Sequence, residues 1–207
     1  EKSLIVKCFT QSHGLKTYFV RDAFSSRKSN QKIAYFQPLT ILEIEAVHKN
    51  KGTLENFKEI RIATPFQTLH SDIFKSTIVM FISEILHHSI HEEEKNEHLF
   101  AFLETALHWL DNHNEIANFH LILMLEITKY LGFYPDVSEM EFPFFDTNEG
   151  VFTPFHGLGS LTQHETNLFK KLIPLKFDND QKTFHVIERQ IVLKILIDFY
   201  AFHLDGF

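Results

Sequence analysis

Cysteine occurs once in this 207-residue chain, as Cys8, which excludes an internal disulfide and any multi-cysteine metal cage. No stretch approaches the roughly 18 consecutive apolar residues that a membrane-crossing helix needs. Glu1 and Lys2 precede only the short apolar run Leu4-Ile5-Val6, which lacks the pattern of a secretory signal. With no targeting pattern and one thiol, the sequence points to the cytoplasm. Glycine is sparse, at 7 residues. No phosphate-cradling glycine loop, dinucleotide fingerprint or G-x-S-x-G elbow is present, and Gly157-Leu-Gly159 is too short to be one. The H-E-x-x-H zinc motif is missing too. His87, His88 and His91 read as exposed helix histidines rather than as the three or four ligands zinc wants. Cys8 falls in a strand pattern and reads as a small packed hydrophobe. The chain reads as a non-enzyme. Lysine and arginine are outnumbered, 20 against 27 acidic residues, and a net charge of −7 taken alone argues against a nucleic-acid partner.

That average hides a division. Residues 1–62 hold 11 Lys and Arg against 6 Asp and Glu, a surplus of +5, whereas residues 63–207 hold 9 against 21, a deficit of −12. A basic first part and an acidic second part indicate two functional units with different partners. Apolar residues at 44% and charged residues at 23% are the balance of a globular protein with a substantial core. Phenylalanine is abundant, with 23 residues, and reads chiefly as core material.

The hydrophobic period divides the chain near the same place. Strand patterns run through Ser3–Phe9, Leu15–Val20, Ile33–Phe36, Leu39–His48 and Leu54–Ala63, separated by turn chemistry at Gln11–Gly14 and Asn50–Gly52. Ser25–Gln31 breaks the pattern as a polar loop. Several short strands spaced about 8–12 residues apart suggest a small barrel or sandwich. From about residue 66 the period becomes helical. Asp72 caps a first predicted helix, and Leu99–Leu110 marks a second. A third begins at Asn114 with a body at Ile116–Leu131, and Gly132 sits just past its end. Residues 133–160 form a long irregular insert rich in glycine and proline breakers. Thr162 and Glu165 make a capping box for a helix to about Leu172, and a last helix runs from about Thr183 to His203. The expected architecture is α+β, with domains at 1–64 and 65–207.

The strongest chemistry lies in Tyr18–Ile33. Arg21, Arg27, Lys28 and Lys32 cluster there among Ser25, Ser26, Ser29 and Asn30, flanked by Tyr18, Phe24, Tyr35 and Phe36. Cations neutralise phosphates, hydroxyls and amides complete the hydrogen bonds, and exposed rings stack unpaired bases. No groove-reading helix accompanies them, so binding by this segment would tolerate any sequence.

The stretch from His13-Gly-Leu-Lys16 through Val20–Ser29 and on to Phe36-Gln-Pro-Leu39 resembles the RecO family in the variant found in Bacteroidetes relatives. Leu125–Asp136 is similar to the family helix that ends in L-G-x-x-P-D, and Leu193–Phe207 resembles its final helix. The resemblance implies an N-terminal OB-fold, a C-terminal all-α helical domain and a role in recombinational repair. It implies binding of single- and double-stranded DNA, annealing of complementary strands and interaction with RecR. It also implies engagement of the single-stranded-DNA-binding protein through that partner's acidic tail, and help in loading RecA. The family's setting is the bacterial cytoplasm, in association with the nucleoid during repair. Arg27 and Lys28 match the family's basic loop, with Arg21 and Lys32 as neighbours. Lys170, Lys171 and Lys176 are the one basic cluster in the acidic half that could take an acidic tail. Some members hold zinc through cysteine pairs, but residues 137–165 contain no cysteine, so no cofactor is expected. Asp22 stands where the family has glycine. The family has a strand ahead of Glu1 and a basic tail after Phe207, so the barrel is expected to be short of its first strand. The competing reading is a protein-interaction adaptor whose OB-like module no longer binds nucleic acid.

Overall fold

A computed structural model describes residues 3–21, 34–48, 54–91, 95–179 and 183–207. The chain is mixed α and β, with small antiparallel sheets and helices packing into two compact units, Glu1–Asn112 and His113–Phe207.

In the first unit, β1 (Leu4–Thr10) and β2 (Gly14–Val20) form a hairpin, in register from Leu4 opposite Val20 to Thr10 opposite Gly14. Gly14 adopts φ +63°, the left-handed conformation that closes so tight a turn. The Thr10 hydroxyl donates to the Gly14 carbonyl at 2.8 Å and accepts from the His13 amide at 3.1 Å. The other edge of β2 is bridged by Glu55, whose carbonyl accepts from Phe19 N–H at 2.8 Å and whose N–H donates to the Thr17 carbonyl at 2.9 Å. A second hairpin joins β3 (Leu42–Ala46) to β4 (Phe57–Ile62), with a bulge at Glu45/Ala46. Its alternation follows the sequence pattern: Leu42, Ile44 and Ala46 are partly covered, while Glu43 and Glu45 face water. Cys8 in β1 is partly buried, and burial pushes its thiol up to about 12.

The expected strand at Ile33–Phe36 is not formed by its described residues: Ala34 and Tyr35 are helical and Phe36 lies in a turn. The chain reverses over the next residues, where Pro38 fixes the backbone, Thr40 N–H returns to the Gln37 carbonyl at 3.2 Å and Leu39 takes φ +57°. A ladder cannot continue through that reversal.

Helix α1 (Ile73–Ser89) starts where the sequence predicts, with the Asp72 carboxylate accepting from Phe74 and Lys75 N–H at 2.9 and 3.0 Å. Helix α2 (Glu97–Asn112) follows, its first turn closed by the Asn96 side chain, which accepts from Leu99 N–H at 2.9 Å. The apolar rows pack inward: Val79, Ile82 and Ile85 on α1, and Leu99, Ala106 and Leu110 on α2. At the end of α2 the Asp111 carboxylate accepts from the Gln67, Thr68 and Leu69 amides at 2.7–2.9 Å. The buried Lys75 ammonium donates to the Asp111 carbonyl at 2.7 Å and to the Thr68 hydroxyl at 2.8 Å, closing a polar clasp.

In the second unit, α3 spans Phe119–Leu131 and is buried along most of its length. It begins later than the sequence suggests. Residues 116–118 form a turn in which Phe119 N–H reaches the Ile116 carbonyl, so the helix opens at Asn118 rather than Asn114. Gly132 ends it at φ +85°. The insert is not wholly irregular, because it holds a hairpin of β5 (Phe144–Asp146) and β6 (Val151–Thr153). Strands of three residues are too short to show a period in the sequence. The capping box at Thr162 and Glu165 opens α4 (Gln163–Leu172) as expected. A 3-10 turn at Phe177–Asn179 leads to α5 (Val186–His203), which starts after Thr183 because Glu188 reaches back to the His185 amide at 2.8 Å. Phe145, Phe152, Phe169 and Phe199 converge in the core, with Phe145 4.7 Å from Phe169 and 4.9 Å from Phe152. Tyr200 is buried and donates to the Met124 carbonyl at 2.7 Å. Among the described residues no helix is long and apolar enough to cross a membrane.

Candidate nucleic-acid interface

Of the four cations expected to hold DNA, Arg21 is described. It follows the last residue of β2 and is exposed. Arg27, Lys28 and Lys32 lie outside the described residues, as does Phe24. The structure therefore places the start of the basic segment at the end of a hydrogen-bonded hairpin.

Tyr18 does not serve as a stacking platform. It is 1% exposed, and its ring lies against Phe57 at 4.3 Å and 18° between planes. Phe36 continues that stack at 6.0 Å from Phe57. β2 alternates sides, and the side carrying Tyr18 is the covered one, which the residue type alone does not reveal. The Tyr18 hydroxyl pairs with His48 Nε2 at 2.7 Å. Burial first, then the neighbouring Cys8 and Glu55, pushes that hydroxyl up to about 12. His48 in turn meets the His13 ring edge-on at 4.6 Å. Burial, the His13 ring and Lys16 hold the His48 imidazole below its ordinary range against a smaller opposing pull from Glu55.

Other cations of this unit are engaged within the fold. Arg61 grips Glu43 through two N–H groups at 2.6 and 2.9 Å, and Lys58 pairs with Glu45. Hydrogen bonding and the adjacent guanidinium hold the Glu43 carboxyl below its usual range. These pairs match opposite charges across β3 and β4. Oppositely charged residues on two alternating strands are the sequence signal of such cross-strand pairs, and the pairing itself is set by the β3–β4 register.

The three lysines expected to take an acidic tail are engaged by separate elements. Lys170 donates to the Phe142 carbonyl at 2.6 Å and sits over the Phe152 ring at 5.4 Å. Lys171 lies 3.8 Å from Glu188, and Lys176 pairs with Glu126 at 2.7 Å. Among the described residues no group of three His, Cys, Asp or Glu is arranged to hold a metal ion. Residues 137–165 supply no cysteine for a zinc site, and β5 and β6 are held by Phe145, Phe152 and backbone hydrogen bonds.

Small antiparallel hairpins followed by packed helices, with the basic charge gathered at the N-terminal end, define a two-part α+β protein. The family model described as Recombination protein O N terminal matches residues 1–66, and that described as Recombination protein O C terminal matches residues 70–206. The chain belongs to the RecO family, as its motifs imply. It is 77% identical over 208 residues to the DNA repair protein RecO of Flavobacterium psychrophilum, covering 100% of this chain and 87% of that one. It is 76% identical to the protein of the same name from Flavobacterium johnsoniae, with the same coverage. It is 38% identical to that of Christiangramia forsetii, again over 100% of this chain and 87% of the relative.

Proposed function

We propose that this chain is a DNA repair mediator that holds DNA through its basic N-terminal segment. The observation that carries the reading is the match of both family models in order along the chain, with the net positive surplus lying in the part matched by the first. Arg21, Arg27, Lys28 and Lys32 supply the phosphate contacts, and the lack of a groove-reading element makes binding tolerant of sequence. The N-terminal module is an OB-fold. The protein binds single- and double-stranded DNA and anneals complementary strands. With RecR it promotes RecA loading on strands coated by the single-stranded-DNA-binding protein, whose acidic tail meets Lys170, Lys171 and Lys176. It acts in the bacterial cytoplasm without a cofactor and is not an enzyme.

Fluorescence anisotropy of a labelled oligo-dT strand at two salt concentrations tests this reading. Wild type will bind with steep salt dependence, and Arg27→Ala/Lys28→Ala will weaken binding by about tenfold or more, since each lost phosphate contact also lowers the salt slope by about one. Salt-independent binding, or a double variant as tight as wild type, would refute it.

A further inference from the structure

The loop from β6 to α4 holds two bare apolar side chains in water. Phe155 is 81% exposed and Leu158 is 98% exposed. Isolated exposed hydrophobes are ordinary, but these two sit three residues apart on a loop fixed by its own hydrogen bonds. The Thr153 hydroxyl donates to the Phe155 carbonyl at 2.9 Å, and Gly157 N–H donates to the Ser160 hydroxyl at 2.9 Å. The Thr147 hydroxyl and amide both reach the Gly159 carbonyl, at 2.8 and 3.1 Å. The His156 ring meets Phe144 edge-on at 5.2 Å. Gly159 stands at φ +90°, a left-handed conformation that glycine adopts without strain, beside the Asn148 side chain. The loop is thus ordered before anything binds it, which removes a cost that a free loop would meet on binding.

The segment that carries the loop, residues 133–160, holds the carboxylates Asp136, Glu139, Glu141, Asp146 and Glu149 and no lysine or arginine of its own. The Asp146 carboxylate accepts from the Asn148 and Glu149 amides and shapes the turn that abuts Gly159. Lys129 and Lys170 reach the segment from neighbouring helices, Lys129 over the Tyr134 ring at 4.6 Å and Lys170 at the Phe142 carbonyl and the Phe152 face. Such a surface repels phosphate, so its occupant is not nucleic acid.

We propose that residues 153–160 dock a lysine- or arginine-rich segment of a partner protein. Apolar side chains of that segment cover Phe155 and Leu158 while its cations lie against the carboxylates of 133–160, Glu149 among them. Two apolar anchors inside a charged surround is the arrangement in which a few residues carry most of an interface's affinity.

The test uses the whole chain and a fluorescein-labelled amphipathic peptide of lysine and leucine, read by anisotropy. Phe155→Ser/Leu158→Ser will weaken binding at least about tenfold, the loss expected when two large anchors go. Glu149→Lys will weaken it about threefold, and added salt will weaken it further. Both anchors lie in solvent, so melting temperatures will match wild type. Should the double variant melt early, Leu158→Gln alone serves as the second variant. Equal binding by wild type and anchor variants overturns the proposal, as does equally tight binding of a glutamate–leucine peptide. It is also overturned if sedimentation shows wild type to self-associate through Phe155 and Leu158, or if these residues bind phosphatidylcholine vesicles while the basic peptide does not bind.

Discussion

Asp111 shows how a single side chain can hold two distant segments. Burial raises its carboxyl, but hydrogen bonds from the Gln67, Thr68 and Leu69 amides and the Thr68 hydroxyl together outweigh burial and hold it below its ordinary 3.8. Asp111→Ala leaves those amides without their acceptor and will cost about 2–4 kcal/mol in urea unfolding. Because the folded carboxyl is the stronger acid, its contribution is complete above 3.8 and is lost only as pH falls below that value. His120 acts in a higher window. Burial, and then the Arg189 guanidinium, pushes its imidazole down to about 4 from 6.5. The unfolded chain therefore takes up the proton first, and stability declines as pH falls from 6.5 towards 4. Urea midpoints measured at pH 7 and pH 5 will fall less for His120→Gln than for wild type. An equal fall in both would remove His120 from the account. Neither role was visible in the sequence, since Asp111 reads as one more acid in an acidic half and its partners lie 42–44 positions away.

At the level of elements, local chemistry was legible and long-range pairing was not. Asp72, Thr162 with Glu165, and Gly132 each act at helix ends through atoms within a turn of themselves, so their roles follow from spacing alone. Gly132 has no atom within 4 Å of where a Cβ would sit, so Gly132→Ala meets only the backbone strain of φ +85°. That substitution will lower stability by about 1–2 kcal/mol in thermal or urea unfolding without disturbing packing. The elements misread in sequence were those decided by neighbours: Ala34 and Tyr35 are helical beside the Gln37–Thr40 reversal, and α3 opens at Asn118 instead of Asn114. Tyr18 belongs here as well, because its burial depends on Phe57 and His48, neither of which is near it along the chain.

Across the whole molecule, charge is the property that sequence conveyed best. The surplus in residues 1–62 and the deficit in 63–207 are set by composition, whatever the packing. Folding adds which charges are already matched: Glu43 with Arg61, Glu45 with Lys58, and Glu126 with Lys176. DNA affinity will therefore respond to substitutions at Arg27 and Lys28 more than at Arg61, whose guanidinium already has a carboxylate; comparing salt slopes for Arg61→Ala and Arg27→Ala/Lys28→Ala checks this. The exposed Phe155 and Leu158 went unread because exposure is a property of the finished surface. Cys8 carries a practical consequence. The thiolate is the reactive form, and a thiol held near 12 yields very little of it at neutral pH. A second cysteine introduced at the exposed Gln163, where the loop enters α4, would be the one that alkylates, so a dye placed there could report occupancy of the loop without first removing the native thiol or either anchor.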